Sequence, residues 1–257
     1  MHQPTKEMNE LEVLHEDNHI IVVNKPAGLL SQGDATDRPS LLDILKKYIK
    51  TEYSKPGKVF LGLVHRLDRP VSGLMVFART SKGAERLHAE FVKRDVEKFY
   101  IALTEIKSGK TSRGKSPEKW TKHESFLSRV NDKTIAGKKD TDNAQYALLH
   151  RMIISETEST RLNLIALGTG RKHQIRAQLA GSGEPVYGDR KYGSVNDTGR
   201  DRILLHSSYL SFAHPTTRER MEFYSPMPGY FFEHIELSPA EVKERVLRGI
   251  EDFRGAP

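Results

Sequence analysis

Short blocks of apolar residues, rarely longer than six, recur along this chain and are separated by turn formers. Leu11 to Leu14 and Ile20 to Val23 read as strands around a turn at Asp17-Asn18. Asn24 to Gly33 reads as a loop. Ser40 then stands where a helix N-cap would, with Asp43 completing the box, and Leu41, Leu42, Ile44, Leu45, Tyr48 and Ile49 form an apolar face at helical spacing. Val59 to Val64 and Leu74 to Ala78 are predicted strands on either side of a charged run, His65-Arg66-Leu67-Asp68. Ser81 is expected to cap a second helix, with Leu87 and Phe91 inward, that ends near Arg94; Phe99 to Leu103 is the next strand. Strands are expected at Glu124 to Val130, Ala144 to Ile154 and Arg161 to Leu167. The turn Gly168-Thr169-Gly170 leads to a helix from about Lys172 to Ala180, stopped by Gly181-Ser182-Gly183. Ile203 to Phe212 and Arg220 to Tyr224 are further strands, and Pro226 to His234 a short helix. A terminal helix opens at Ser238-Pro239 and carries the stripe Val242, Val246, Ile250 and Phe253, which reads as a face docked on the rest of the domain.

Strands far outnumber helices, and short turns join many of them. That pattern argues for an α+β fold with a largely antiparallel sheet and against a doubly wound parallel one. The 257 residues are 37% hydrophobic and 29% charged, enough to build one sizeable core. No apolar run approaches the roughly 18 residues of a membrane helix. Met1 to Glu10 lacks the apolar stretch of a signal peptide. Cysteine is absent, which excludes disulfides, thiolate chemistry and cysteine-bound zinc and fits a cytoplasmic protein. The net charge of +7 favours a polyanionic partner. Lys107, Lys110, Arg113, Lys115, Lys119 and Lys122 crowd one segment interrupted by Gly109, Ser112, Gly114 and Pro117. This basic loop can engage phosphates without reading sequence, or serve as a solvated linker.

The charged run is the feature that needs a reason. A strand pair folds without such an interruption, and a buried or half-buried aspartate is costly unless cations or donors hold it. If the segment is extended, Arg66 and Asp68 project to the same side. Taken alone, they read as a structural ion pair at a strand end.

Four stretches in order change that reading. His65-Arg66-Leu67-Asp68-Arg69-Pro70-Val71-Ser72-Gly73-Leu74 resembles the catalytic segment of the RluA-type pseudouridine synthases. Asn24-Lys25-Pro26-Ala27-Gly28-Leu29 is similar to that family's opening strand and turn, and Glu97-Lys98-Phe99-Tyr100-Ile101-Ala102 to its tyrosine strand. Gly170-Arg171-Lys172-His173-Gln174-Ile175-Arg176, with Val186-Tyr187-Gly188-Asp189 and Tyr192-Gly193, resembles its second active-site segment. The resemblance spans roughly residues 11 to 235. It implies one pseudouridine synthase catalytic domain over residues 1–257, a bent mixed sheet with flanking helices and an active cleft across it. The N-terminal S4 RNA-binding module of many members is expected to be missing, since about ten residues precede the first strand.

The resemblance also implies the chemistry. A uridine in ribosomal or transfer RNA leaves its stack, its N1–C1′ bond breaks, and the base turns and reattaches through C5. Neither cofactor nor metal is needed, no obligate protein partner is evident, and the chain reads as a monomer. Asp68 matches the essential carboxylate. Arg176 matches the arginine that keeps it ionised, which desolvation alone would oppose. Tyr100 matches the ring that lines the base pocket. Arg66 matches a residue that enters the RNA stack; its bland reading is a local partner of Asp68. Arg171, Lys172 and His173, at a helix start after a glycine turn, suit a phosphate. Gln174 either faces the base or bonds locally. Asp189 reads as a turn stabiliser. Val71 and Gln178 depart from the threonine and histidine common in the family. A catalytically idle RNA-binding module of the same fold is the alternative, disfavoured because the Asp68 and Tyr100 matches are both present. A glycoside hydrolase would need a second suitably placed acid, and a phosphate-binding NTPase lacks the G-x-x-x-x-G-K-[ST] loop.

Overall fold

Ile20, Ile21, Val22 and Val23 are each 0% exposed, so this strand is covered on both faces. It is β2 (Ile20–Lys25), and in the computed structural model it pairs antiparallel with β1 (Glu12–Glu16) on one side and β4 (Ser72–Ala78) on the other. The structure describes residues 11–36, 38–106, 119–137, 143–199 and 201–255. Lys107, Lys110, Arg113 and Lys115 of the basic loop lie outside the described residues. The chain divides into two compact units, Met1–Glu97 with Tyr209–Ser225, and Lys98–Ser208 with Pro226–Pro257. Among the described residues no helix is long and apolar enough to cross a membrane.

In the first unit, α1 (Leu41–Glu52) starts at the expected cap: the Ser40 hydroxyl bonds the Asp43 carboxylate (2.5 Å) and accepts the Asp43 N–H (3.3 Å). Leu41, Ile44, Leu45 and Ile49 are buried on its inner face. The second helix, α2 (Ser81–Lys93), is capped by Thr80 rather than Ser81, and ends at Arg94 in the left-handed conformation (φ 64°). Ile20, Val22, Leu74, Val76, Leu87, Val96, Leu210 and Phe212 form one core cluster, each contributing on the order of 1.5–3 kcal/mol by burial. The second half of β10 (Leu205–Ala213) pairs here with β11 (Arg220–Tyr224).

The expected strand at Val59 to Val64 contracts to two residues, β3 (Gly62–Leu63), paired with Ala78 and Phe77 of β4. Its C-terminal end is cut short by a side chain. The next β4 amide, Val76 N–H, donates to His65 Nε2 (3.0 Å) instead of to a neighbouring carbonyl. A side chain thus takes over the ladder, and the backbone is released for the charged run.

In the second unit, β5 (Glu97–Glu105) pairs with β9 (Thr160–Leu167), which pairs with β8 (Gln145–Glu156), then β6 (Thr121–Val130) and β7 (Lys133–Gly137). Each of these pairings is antiparallel. The strands run longer than their apolar blocks, and β7 has no counterpart in the sequence reading because only Thr134 on it is buried. Two helices cover this sheet, α3 (Gln174–Gly181) and α4 (Pro239–Gly255). The expected short helix before α4 is a 3₁₀ turn at Gly229–His234. The architecture is the α+β, mostly antiparallel one that the pattern predicts.

Val242, Val246 and Ile250 of α4 are buried as the stripe predicts, and Trp120 Nε1 donates to Gly249 O (3.0 Å). A Cβ on Gly249 would stand 2.4 Å from Met152 Cε and 2.8 Å from Leu164 Cδ2. Those atoms end flexible side chains, so one methyl is tolerable and a branched side chain is not. Gly249→Ala should be near neutral in urea unfolding, because about 1 kcal/mol of helix propensity offsets the crowding. Gly249→Val should cost about 1–3 kcal/mol by overpacking; equal stability of the two variants would show that α4 does not seat closely on β8 and β9.

Candidate active site

The register of β2 on β4 sets Lys25 opposite Gly73. It thereby brings the loop after β2 against the segment that precedes β4. Gly28 takes φ 87°, a value that favours glycine, and its N–H donates to Arg69 O (2.8 Å). Ser31 clamps Leu67 from both sides, its hydroxyl donating to Leu67 O (2.7 Å) and accepting Leu67 N–H (3.1 Å). The Val71 N–H donates to Asp68 O (3.0 Å) and closes the turn. His65 stacks on Phe91 of α2 (centroids 4.8 Å apart, 21° between planes). Because its Nε2 accepts the Val76 amide, the bonding places the proton of neutral His65 on Nδ1. Asp68 is half-buried between two fixed backbone neighbours, while Arg66 is exposed and has no ion-pair partner among the described residues. Among the described residues no Arg66–Asp68 ion pair forms, and residues 64–68 are not in a strand.

Lys25 is 0% exposed, and Nζ donates to Pro26 O (2.9 Å), Leu29 O (2.8 Å) and Arg69 O (3.2 Å). Burial pulls its pKa from 10.5 down to about 7, against the attraction of the Asp68 carboxylate. Three carbonyl acceptors match the three hydrogens of an ammonium, so this geometry also favours the charged form. Lys25 is therefore a buried amine in the field of Asp68 and a clip between two loops. The sequence reading assigned it no role; its signal was a lysine at the end of an otherwise apolar strand.

The remaining site residues belong to the second unit. Tyr100 lies on β5 opposite Ile165, 6% exposed. Arg176, on the first turns of α3, is 5% exposed and forms a two-point pair with Asp189: Nε to Oδ2 at 2.6 Å and Nη2 to Oδ1 at 2.9 Å. Its guanidinium also lies over the Tyr192 ring, 4.9 Å from the centroid. Asp189 is 1% exposed, so its carboxylate holds an arginine where a turn-stabilising role was expected. Arg171 and Lys172 are exposed, and His173 is half-buried. The Arg171 backbone N–H is already engaged by Gln174 Oε1 (3.0 Å), so it is not offered to a phosphate. Gln174 also bonds Thr169 and Leu148 O, which settles it as a local structural residue.

Two carboxylates brace this arrangement. Glu105 accepts from the Ser194 hydroxyl, Val195 N (3.1 Å), Asn196 N (3.3 Å) and Asn196 Nδ2 (2.9 Å), and so fixes the loop after Tyr192. Glu184 joins Arg151 of β8 and Arg161 of β9, and Arg161 also pairs with Glu156 (2.6 Å). Arg151 donates in turn to Asn163 Oδ1 (2.6 Å). These ties fix the ends of the segment that carries Asp189. Neither glutamate stood out in the sequence, because neither lies in a motif.

A family model described as RNA pseudouridylate synthase matches residues 19–181. The tRNA pseudouridine synthase C of Haemophilus ducreyi is 31% identical over 230 residues, covering 82% of this chain and 89% of that protein. The Ribosomal large subunit pseudouridine synthase C of Buchnera aphidicola subsp. Schizaphis graminum is 29% identical over 230 residues, 87% of this chain and 69% of that protein. Among solved structures, Human RNA Pseudouridylate Synthase Domain Containing 1 superposes with a TM-score of 0.70 at 22% identity, covering 100% of this chain and 99% of that one, which speaks for the fold.

Lys25 yields a pH prediction. Its folded pKa, about 7, lies below the unfolded value near 10.5, so between the two the unfolded chain binds the extra proton. Stability should therefore rise with pH across that window, by an amount on the order of a few kcal/mol. Urea unfolding of wild type against Lys25→Met from pH 7 to 10 isolates the effect, and a constant difference between the two proteins would show that the carbonyls keep Lys25 charged throughout.

Proposed function

The chain belongs to the RNA pseudouridylate synthase family, and we propose that Asp68 is the nucleophile with which it isomerises uridine. The family makes it an RNA isomerase. The observation that carries the assignment to Asp68 is its setting. The backbone on both sides of this carboxylate is tied down by Ser31, Gly28 and Lys25, and the buried Lys25 amine lies within its field. A side chain that must meet one ribose carbon in one orientation gains from such fixing. A structural aspartate has no need of it.

In this reading Asp68 takes up the reaction once the base has left its stack. Arg176 supplies the second cation that keeps the carboxylate ionised, and Asp189 supplies the aim of Arg176. Tyr100 stacks on the uracil and assists proton transfer at C5. Arg171, Lys172 and His173 meet the RNA backbone, and the exposed Arg66 fills the space the base vacates. Both units, residues 1–257, act as one catalytic domain. The substrate is ribosomal or transfer RNA, since relatives carry both names. The protein works in the cytoplasm as a monomer, and the chemistry calls for no cofactor.

Asp68→Asn keeps the size of the side chain and removes the charge. It should lower pseudouridine formation on the order of a thousandfold or more, as loss of a nucleophile does elsewhere. RNA affinity in a filter-binding assay should stay within a few-fold. Substantial residual turnover would remove Asp68 from the nucleophile's role.

Arg66→Ala should act on base extrusion, which costs a few kcal/mol. The loss of rate should be larger for a uridine held in a stem than for one unpaired in a loop. Equal losses on stem and loop substrates would show that Arg66 does not fill the stack.

A further inference from the structure

Tyr192 stands where three elements of the second unit meet, and nothing in the reaction as described requires it. Its hydroxyl accepts Thr134 N–H from β7 (3.0 Å) and bonds His173 Nδ1 (2.8 Å). Its ring meets the imidazole edge-on, with centroids 5.7 Å apart and planes at 86°, and carries the Arg176 guanidinium at 4.9 Å. Thr134 occupies one lone pair of the phenol oxygen. The arrangement that uses every hydrogen has the phenol donating to Nδ1, which puts the proton of neutral His173 on Nε2. His173 itself sits at φ 54° and ψ 24°, in the left-handed region, as the residue that precedes α3. A non-glycine residue is strained there and persists only where its surroundings hold it. The Tyr192 hydroxyl is such a hold.

We infer that Tyr192 is a positioning residue with two separable jobs: its ring seats the arginine that serves the chemistry, and its hydroxyl fixes the histidine that meets the RNA. The inference rests on the roles proposed above for Arg176 and His173, and adds what sets their geometry. Arg176 commits two of its five guanidinium hydrogens to Asp189, which fixes one edge of the plane. A ring against the face limits the tilt that an edge contact allows, so the edge and face restraints both help set where the other donors point. His173 needs a different restraint, because an imidazole presents a defined donor only when its tautomer is set. One tyrosine supplies both, through different atoms.

The two jobs predict two different kinetic losses. Tyr192→Phe keeps the ring and deletes the hydroxyl. With unmodified large-subunit ribosomal RNA and tRNA transcripts as substrates, it should raise KM about fivefold, the usual worth of one hydrogen bond, and change kcat less than about twofold. Tyr192→Leu deletes both groups, so it should show the same rise in KM and, in addition, a fall in kcat of about tenfold from loss of the cation–π contact. His173→Asn should raise KM as Tyr192→Phe does, and the double variant should be no worse than either single one, because both break the same link. Urea unfolding of each variant shows whether it is folded, and a purely structural tyrosine would move KM and kcat together in step with stability. Equal falls in kcat for Phe and Leu, or additive effects of Tyr192→Phe and His173→Asn, would overturn the inference. Arg176→Gln separates this from failure of the underlying reading. If it lowers kcat more than tenfold while Tyr192→Leu leaves kcat intact, Arg176 keeps its role and the inference is wrong. If Arg176→Gln leaves kcat intact, the proposed role of Arg176 fails and the inference falls with it.

Discussion

A buried lysine organises the first unit. Lys25 ends a strand whose other side chains are largely apolar, and no water reaches it. An unpartnered charge there would cost several kcal/mol, which obliges the surrounding chain to offer it acceptors. The acceptors it finds are backbone carbonyls, two from the loop that follows it and one from Arg69, beside the candidate nucleophile. The cost of burying one charge thus becomes a constraint on two loops that are far apart in sequence. Gly28 and Ser31 bond the same stretch, so the Leu67–Arg69 backbone is fixed at several points, and Asp68 is the half-buried side chain between them.

The second unit uses the same physics with opposite polarity. There the deeply buried group is a carboxylate: Asp189, 1% exposed and paired to Arg176 through both oxygens. Removing one member of such a pair leaves the other buried without a partner, at a cost of roughly 3–5 kcal/mol. The loop that bears Asp189 has little apolar content of its own, so it is anchored by charge as well. Glu105 holds the residues after it, and Glu184 holds those before it against β8 and β9. Arg176 is therefore placed by a hierarchy that starts in the sheet and ends at its guanidinium.

What the sequence disclosed and what it withheld follow from the range of each interaction. Helix α1 was legible because Ser40, Asp43 and the spacing of Leu41, Ile44, Leu45 and Ile49 are all local signals. Strands β2, β4 and β9 were legible because their residues are buried nearly throughout. The strand before the charged run was misread, because apolar residues at Val59 and Phe60 look like ladder residues, and nothing local reveals that His65 will take the Val76 amide. Strand β7 was missed because a mostly exposed strand leaves no apolar pattern. At the candidate site, the motifs single out Asp68, Tyr100 and Arg176. Glu105 and Glu184 lie in no motif and act through partners distant in sequence; Lys25 and Tyr192 lie inside the motifs, but their bonds to Arg69 and to Thr134 and His173 follow no spacing rule.

The supports of the site are charged where an apolar core would hold more cheaply. Replacing buried ion pairs with well-packed hydrophobic groups is often neutral or stabilising, so stability alone does not explain them. Direction does. Apolar contacts fill space without fixing the rotation of the groups that make them, whereas a two-point arginine–carboxylate pair fixes both distance and plane. The groups supported here are ones whose orientation would matter in the proposed reaction: the Asp68 carboxylate in the first unit and the Arg176 guanidinium in the second. The interior away from them is packed in the ordinary way, with Ile20, Val22, Leu74, Val76 and Phe212 in one cluster. Buried polar networks at the candidate site give up some stability to define one geometry, as does the Arg79–Glu16 pair beside β2.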